Sequence, residues 1–218
     1  MSAAGQPNFV SAPRSLTAED FQKITDVSRE TLGRLQVYAE LLTERQRVQN
    51  LVSNRSLADL WGRHMLDSFQ LIHHLPCGVR EITDIGSGAG FPGLVLAIAT
   101  GLPATLVEAH ARKCAFLRDA IDATRASAAV ANTRVEVYAH ESTKNPVDIL
   151  TARALAPLSK LCGMAVSLGA HTCLFQKGAR WRDELTEARK LWKMDIETFE
   201  SQTSPEARIL RITELVPK

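Results

Sequence analysis

Ten residues in the first half of the chain, Asp84-Ile-Gly-Ser-Gly-Ala-Gly-Phe-Pro-Gly93, join a carboxylate to glycines at 86, 88 and 90. Glycine has no Cβ, so such a run can bend sharply and bring its amides against a ligand. Set between a strand and a helix, it is a nucleotide-binding turn. Pro92 suits the first turn of the helix that follows, where its missing N–H has no partner anyway. The turn alone does not choose its ligand, because dinucleotide enzymes use one too. Two carboxylates narrow the choice. Asp84 would repel a pyrophosphate but attract an ammonium or a sulfonium. Glu108, 24 residues further on, ends the next strand, where a carboxylate accepts both hydroxyls of a ribose. The pair favours S-adenosylmethionine, with an NAD site and a purely structural turn as the alternatives.

Elements of the right kind surround the turn. Thr17-Ala-Glu-Asp20 fits a capping box and opens a helix. Leu32, Leu35, Val37, Leu41 and Leu42 follow helical spacing and face a core. A longer helix is expected over Ser56–His74, stopped by Pro76-Cys77-Gly78. Beyond Gly78, short apolar runs alternate with helical stretches, the pattern of a parallel α/β sheet. Strands are expected at Glu81–Ile85, Ala104–Glu108, Arg134–Ala139, Val147–Thr151 and Thr172–Gln176. Helices are expected at Pro92–Thr100, Ala111–Ala126, Leu158–Leu168 and Trp181–Trp192. Two last strands, Met194–Glu200 and Arg208–Leu215, suit an antiparallel hairpin. The layout is Rossmann-like: five parallel strands plus a terminal hairpin, as in class I methyltransferases. The chain divides into a loose tail (1–15), an N-terminal helical cap (16–78) and a methyltransferase domain (79–218).

Composition excludes several classes. The 218 residues carry 26 Lys+Arg against 24 Asp+Glu, a net charge of only +2, so nucleic-acid binding driven by bulk charge is excluded. The first eighty residues hold nine basic and eight acidic side chains, so the cap is not a basic arm. Cys77, Cys114, Cys162 and Cys173 form no CxxC pair, which argues against zinc and thioredoxin-type chemistry and for reduced thiols in the cytoplasm. No leader-like start and no apolar run of about 20 residues is present, so neither export nor membrane insertion is expected. A monomer is favoured.

Several stretches together resemble the 16S ribosomal RNA guanine-N7 methyltransferase family (RsmG, also called glucose-inhibited division protein B). They are Asn50-Leu-Val52, Arg63-His-Met-Leu-Asp-Ser68, the Asp84–Gly93 turn with its Gly-Phe-Pro-Gly ending, Glu108 with Arg112-Lys113 and Phe116-Leu117, Ala152-Arg-Ala154, and Gln176-Lys-Gly178. They keep the family's order over residues 40–180. Glu108 stands where an aspartate is expected. The resemblance implies methyl transfer from S-adenosylmethionine to N7 of one guanine, guanine 527, of 16S ribosomal RNA in the small subunit. It adds Phe91, His140 and Glu141 to Asp84, Gly86, Gly88, Gly90, Glu108 and Arg153 as cofactor-binding candidates. It makes Arg153 and Lys177 the catalytic candidates, with no metal. A non-catalytic ribosome-assembly factor with a vestigial nucleotide turn is the rival from another class.

N7 has a free in-plane lone pair and no proton to lose, so no general base is needed. Accordingly, the fourth strand exits as Thr151-Ala-Arg-Ala-Leu-Ala-Pro157, without the Asn/Asp-Pro-Pro-aromatic run of amino-group methyltransferases. Pro76-Cys77 precedes the turn and is no cytosine-C5 nucleophile. Arg153, at a strand end beside the crevice, could hold guanine O6, a phosphate or the cofactor carboxylate, or form only a surface ion pair. Lys177 could hold an RNA phosphate or be simply solvated. Lys177-Gly-Ala-Arg-Trp-Arg182 pairs cations with an indole, suited to phosphate contact and stacking or to a solvated helix start. Arg112-Lys113 adds charge at the same rim. Arg63, His64 and Asp67 share a helix face and either dock the cap over the cofactor, touch RNA, or form a cap-to-core network. His73-His74 reads as a helix-end pair, and Cys114 and Met164 as core.

Overall fold

The computed structural model describes residues 15–141 and 147–218; most of the expected tail lies outside them. Helix α1 (Ala18–Thr25) opens with the expected capping box: the Thr17 hydroxyl accepts from the Asp20 N–H, and the Asp20 carboxylate accepts from the Thr17 N–H. Helix α2 (Arg29–Gln46) starts at Ser28, whose hydroxyl accepts from the Thr31 N–H. It buries Leu32, Leu35, Tyr38, Ala39 and Leu42. Val37, expected inside, is instead 40% exposed, and its neighbour Tyr38 is fully buried. The single helix expected over Ser56–His74 is a broken run. It comprises α3 (Asn54–Leu57), a π-helical stretch (Trp61–Leu66), the short α4 (Asp67–Phe69) and a 3₁₀ turn (Gln70–His74). His73-His74 ends that run as expected, with the His74 ring stacked on Phe199.

The remainder alternates strand and helix: β1 (Ile82–Ile85), α5 (Gly93–Thr100), β2 (Ala104–Val107), α6 (Ala111–Thr124), β3 (Ala128–Ala131), α7 (Val135–Glu141), β4 (Ile149–Arg153), α8 (Leu158–Ser167), β5 (Thr172–Lys177) and α9 (Trp181–Leu191). The chain closes with β6 (Trp192–Glu200) and β7 (Arg208–Pro217). The sheet order is β3-β2-β1-β4-β5-β7-β6, with β1 to β5 parallel and β7 antiparallel to both β5 and β6. Both faces are covered, as a parallel sheet requires. One core joins the cap helices to α5, α6 and Phe91; the other joins α7, α8 and α9 to the opposite face.

One strand is corrected. Arg134–Ala139 is not a strand but the bulk of helix α7, and the third strand lies earlier, at Ala128–Ala131. Val135, Val137 and Ala139 mimic a two-residue period. In the fold, Val135 and Ala139, four apart, are buried on one helix face while Val137 is exposed. The true strand is Ala-Ala-Val-Ala, an edge strand with little β-branched character.

Candidate active site

The turn between β1 and α5 carries Gly86, Gly88 and Gly90 at φ 65°, 59° and 104°. A Cβ on Gly90 would stand 2.7 Å from the Tyr38 hydroxyl oxygen. A Cβ on Gly88 would meet nothing nearer than 3.8 Å, so this residue alone of the three turns its bare face to open space. Here a ligand could approach the backbone. The far side of the turn is propped from the cap. Tyr38 on α2 donates to the Ala89 carbonyl, and its ring packs 5.3 Å from Phe91. Burial pushes the Tyr38 phenol well above its usual pKa, so it remains a donor.

Asp84 is wholly buried. Its Oδ1 accepts from the Thr151 hydroxyl at 2.8 Å, which ties β1 to β4. Burial pushes its pKa up to about 6, against the opposing pulls of the Thr151 hydroxyl and the more distant Arg153 guanidinium. Asp84 therefore holds the turn from beneath and reaches a ligand through its charge rather than by contact. Glu108, just past β2, is buried at the mouth. Its Oε2 accepts from the Gly88 N–H at 2.9 Å and its Oε1 from the His110 N–H at 2.8 Å. Each oxygen keeps a second lone pair.

The strand correction changes which residues stand at the end of the third strand. In a parallel sheet, ligands sit beyond the carboxyl ends of the strands. With β3 ending at Ala131, the edge there is formed by Asn132, Thr133 and Arg134. The Asn132 amide donates to the carbonyls of Glu108 and Ala109, each at 3.2 Å. His140 and Glu141 stand in the last turn of helix α7 rather than at that edge. They enter as candidates through the resemblance alone.

Arg153, at the end of β4, is committed within the protein. It pairs with Asp67 at 3.1 Å, donates to the Arg63 carbonyl at 3.1 Å, and reaches His64 Nδ1 at 2.7 Å. Its guanidinium lies 5.0 Å from the Phe91 ring centre, and His64 stacks on the same ring at 4.7 Å. Arginine has no acceptor, so His64 Nδ1 must accept and the imidazole is neutral. Burial, reinforced by Arg153 and Arg63, pushes its pKa down to about 3. Of the readings open for Arg63, His64 and Asp67, the cap-to-core network is the one built here. Asp67 is its hub: its carboxylate also accepts from Thr203 at 2.7 Å, and its carbonyl from the Gln176 amide at 2.7 Å. Lys177 is neither solvated nor at the surface. It is 7% exposed, pairs with Glu184 at 2.6 Å and donates to the Ala156 carbonyl.

These groups line a cleft of about 780 Å³ between the cap, the exits of β4 and β5, and the β6–β7 turn. Leu155 separates it from the glycine turn, where a Cβ on Gly86 would stand 2.5 Å from the leucine side chain. Leu155 therefore stands between the polar cleft and the turn whose Gly88 keeps an open face. Among the described residues no group of His, Cys, Asp and Glu could hold a metal, and no helix is long and apolar enough to cross a membrane. Tyr38, Asn132 and Thr203 were not singled out from sequence. Only fold-level pairing, across up to 136 positions for Asp67 and Thr203, brings them to the site.

The family model described as rRNA small subunit methyltransferase G matches residues 31–210. A protein of that name from Parvibaculum lavamentivorans is 46% identical over 206 residues, covering 92% of this chain and 90% of its own. One from Rhodospirillum centenum is 46% identical over 207 residues, covering 94% of each. Among solved structures, an O-methyltransferase from Bacillus cereus in complex with SAH has TM-score 0.55 at 13% identity, covering 91% of this chain and 100% of that one. A mutant of MtNAS in complex with S-adenosylmethionine has TM-score 0.54 at 14% identity, covering 90% and 83%.

Proposed function

The chain belongs to the rRNA small subunit methyltransferase G family, and from that premise we propose that it transfers a methyl group from S-adenosylmethionine to N7 of a guanine in 16S ribosomal RNA. The observation that carries the cofactor is the open face of Gly88 beside the Glu108 carboxylate. The residues fit the group. Glu108 has lone pairs for the sugar hydroxyls, Gly88 leaves room for a close approach, and Asp84 sets a negative charge beneath the cationic amino-acid end. The Asn132–Arg134 edge is placed for the adenine. These assignments, and the N7 target, rest on the family and on chemistry.

When bound, S-adenosylmethionine supplies an electrophilic methyl group on a sulfonium. The chain's own part is placement. Phe91 and Leu155 set apolar side chains beside the glycine turn and help to keep water from the reacting groups. Arg153, pinned by Asp67 and His64, fixes the exit of β4. The guanine enters from the polar cleft. Its N7 brings a lone pair and no proton, so no side chain need act as base. His64 is a poor base, with a pKa of about 3, and the two carboxylates of the cleft are paired with cations. Rate then comes from alignment and desolvation. In an A-form duplex N7 faces a deep, narrow groove that side chains cannot enter, so the substrate guanine lies outside regular helix.

The test is transfer of label from S-adenosylmethionine to small subunits purified from cells lacking the protein, with mass-spectrometric mapping of the product. Methylguanosine at N7 is the expected result. Label on another atom would refute the N7 assignment, and no label would favour the assembly factor.

A further inference from the structure

The cleft has more positive charge than the fold consumes. Both carboxylates that line it are used: Asp67 pairs with Arg153, and Glu184 with Lys177. Arg208 is drawn back to the Pro205 and Ala207 carbonyls. Arg63 and Arg180 remain. Both line the cleft, both are exposed, and neither guanidinium has an ion-pair partner among the described residues. They come from separate elements. Arg63 stands on the π-helical stretch of the cap, and Arg180 on the loop between β5 and α9. A single unpaired arginine on a surface is unremarkable. Two, facing one cleft with its carboxylates already spent, in a chain whose net charge is only +2, concentrate positive potential at one place. The fold gains nothing from that repulsion, which a bound polyanion would relieve.

We infer that Arg63 and Arg180 are two jaws of a phosphate clamp, which grips the RNA backbone on either side of the guanine, so that the cap forms one wall of the substrate site. This rests on the reading of the protein as an RNA methyltransferase. It narrows what the sequence suggested to Arg63 and Arg180, since Lys177 is withdrawn into its pair with Glu184 and Arg182 lies over the Trp181 ring at 4.4 Å. Arginine suits the role, because its planar fork matches two phosphate oxygens. The cap could not otherwise be explained as a binding arm, being neutral overall; one placed cation suffices where a basic tract is absent.

The test is salt-dependent binding of 16S ribosomal RNA, from cells lacking the protein, to the full chain and to Arg63→Ala, Arg180→Ala and the double variant. Each phosphate contact contributes about 0.7–0.9 to the slope of log affinity against log salt. Each single variant is expected to lower that slope by about 1, and the double variant by about 2. Arg189→Ala, on helix α9 and outside the cleft, should leave it unchanged. Affinity for S-adenosylhomocysteine, measured by calorimetry, should be the same in all. An unchanged slope in the double variant, with cofactor binding intact, would overturn the clamp and leave the methyltransferase reading standing. A parent chain that binds S-adenosylhomocysteine but neither 16S ribosomal RNA nor small subunits would overturn both.

Discussion

Replacing Tyr38 by Phe removes one oxygen and tests whether the cap takes part in cofactor binding. The phenyl ring stays between Phe91 and Phe116, whose centres lie at 5.3 and 6.3 Å, so apolar packing is retained. What is lost is the donor to the Ala89 carbonyl, in a turn that is 4% exposed there. A buried carbonyl left without a partner costs about 1–3 kcal/mol. The cost can fall in two places. If the turn holds its shape, the whole folded state is weakened, and at about 2–4 °C per kcal/mol for a chain of this size the melting temperature falls by about 4–8 °C for a 2 kcal/mol loss. If the turn relaxes to find water, the ligand must restore it on binding. Affinity for S-adenosylhomocysteine then falls by up to about thirtyfold for the same 2 kcal/mol. The two losses should together account for the missing bond. Thermal unfolding and calorimetric titration of the same preparation read both, and the KM for RNA should not move. A variant that melts and binds as the parent does would refute the view that Tyr38 props the turn.

Gly88→Arg should abolish S-adenosylhomocysteine binding by filling the open face of the turn. The left-handed backbone at φ 59° costs about 1–2 kcal/mol for a side chain, so the protein should still fold, and retained affinity in calorimetry would place the pocket elsewhere. Asp84 has its pKa raised in the folded state from 3.8 to about 6, so the folded chain takes up a proton before the unfolded one. Its contribution to stability therefore grows as pH falls from about 6 to about 4, by about 3 kcal/mol at most. Denaturation of the parent and of Asp84→Asn at pH 4.5 and 7 should show that slope in the parent only. Cofactor affinity should strengthen as pH rises through 6, since a cationic ligand prefers the ionised carboxylate. Lys177→Met leaves Glu184 without its cation; with that carboxylate 22% exposed, about 2 kcal/mol of stability should be lost. The salt dependence of RNA binding should not change, and a reduced slope would show that Lys177 is free to meet phosphate after all.

The parts of the site that could be read from sequence are those in which one short segment carries its own reason. The Asp84–Gly93 turn is such a segment: glycine spacing, a preceding strand and a following helix all sit within twenty residues. Glu108 could be found from it by counting to the next strand end. The order of strands followed from alternation, although the third was misplaced. Val135-Glu-Val-Tyr-Ala139 alternates like a strand yet is read by the fold in steps of four, while Ala128–Ala131 offers almost no signal. Pairings over long separations were beyond reach. Tyr38 looks like any buried aromatic on an amphipathic helix until its hydroxyl is seen on a carbonyl 51 positions away. Arg153 and Lys177 were found as residues, but their partners were not. A strand-end cation reads the same in sequence whether it awaits a ligand or is already held.

Strand β7 follows β6 in the chain yet lies inside the sheet, inserted between β5 and β6. A nonsense codon shortly after residue 200 would leave β5 with a bare row of amides and carbonyls, open to any passing strand. The same loss would remove Thr203, and with it the tether from the hairpin to Asp67. Such a shortened polypeptide would keep every residue of the glycine turn and still be expected to aggregate, so a null phenotype from a late stop would implicate the seam rather than the chemistry.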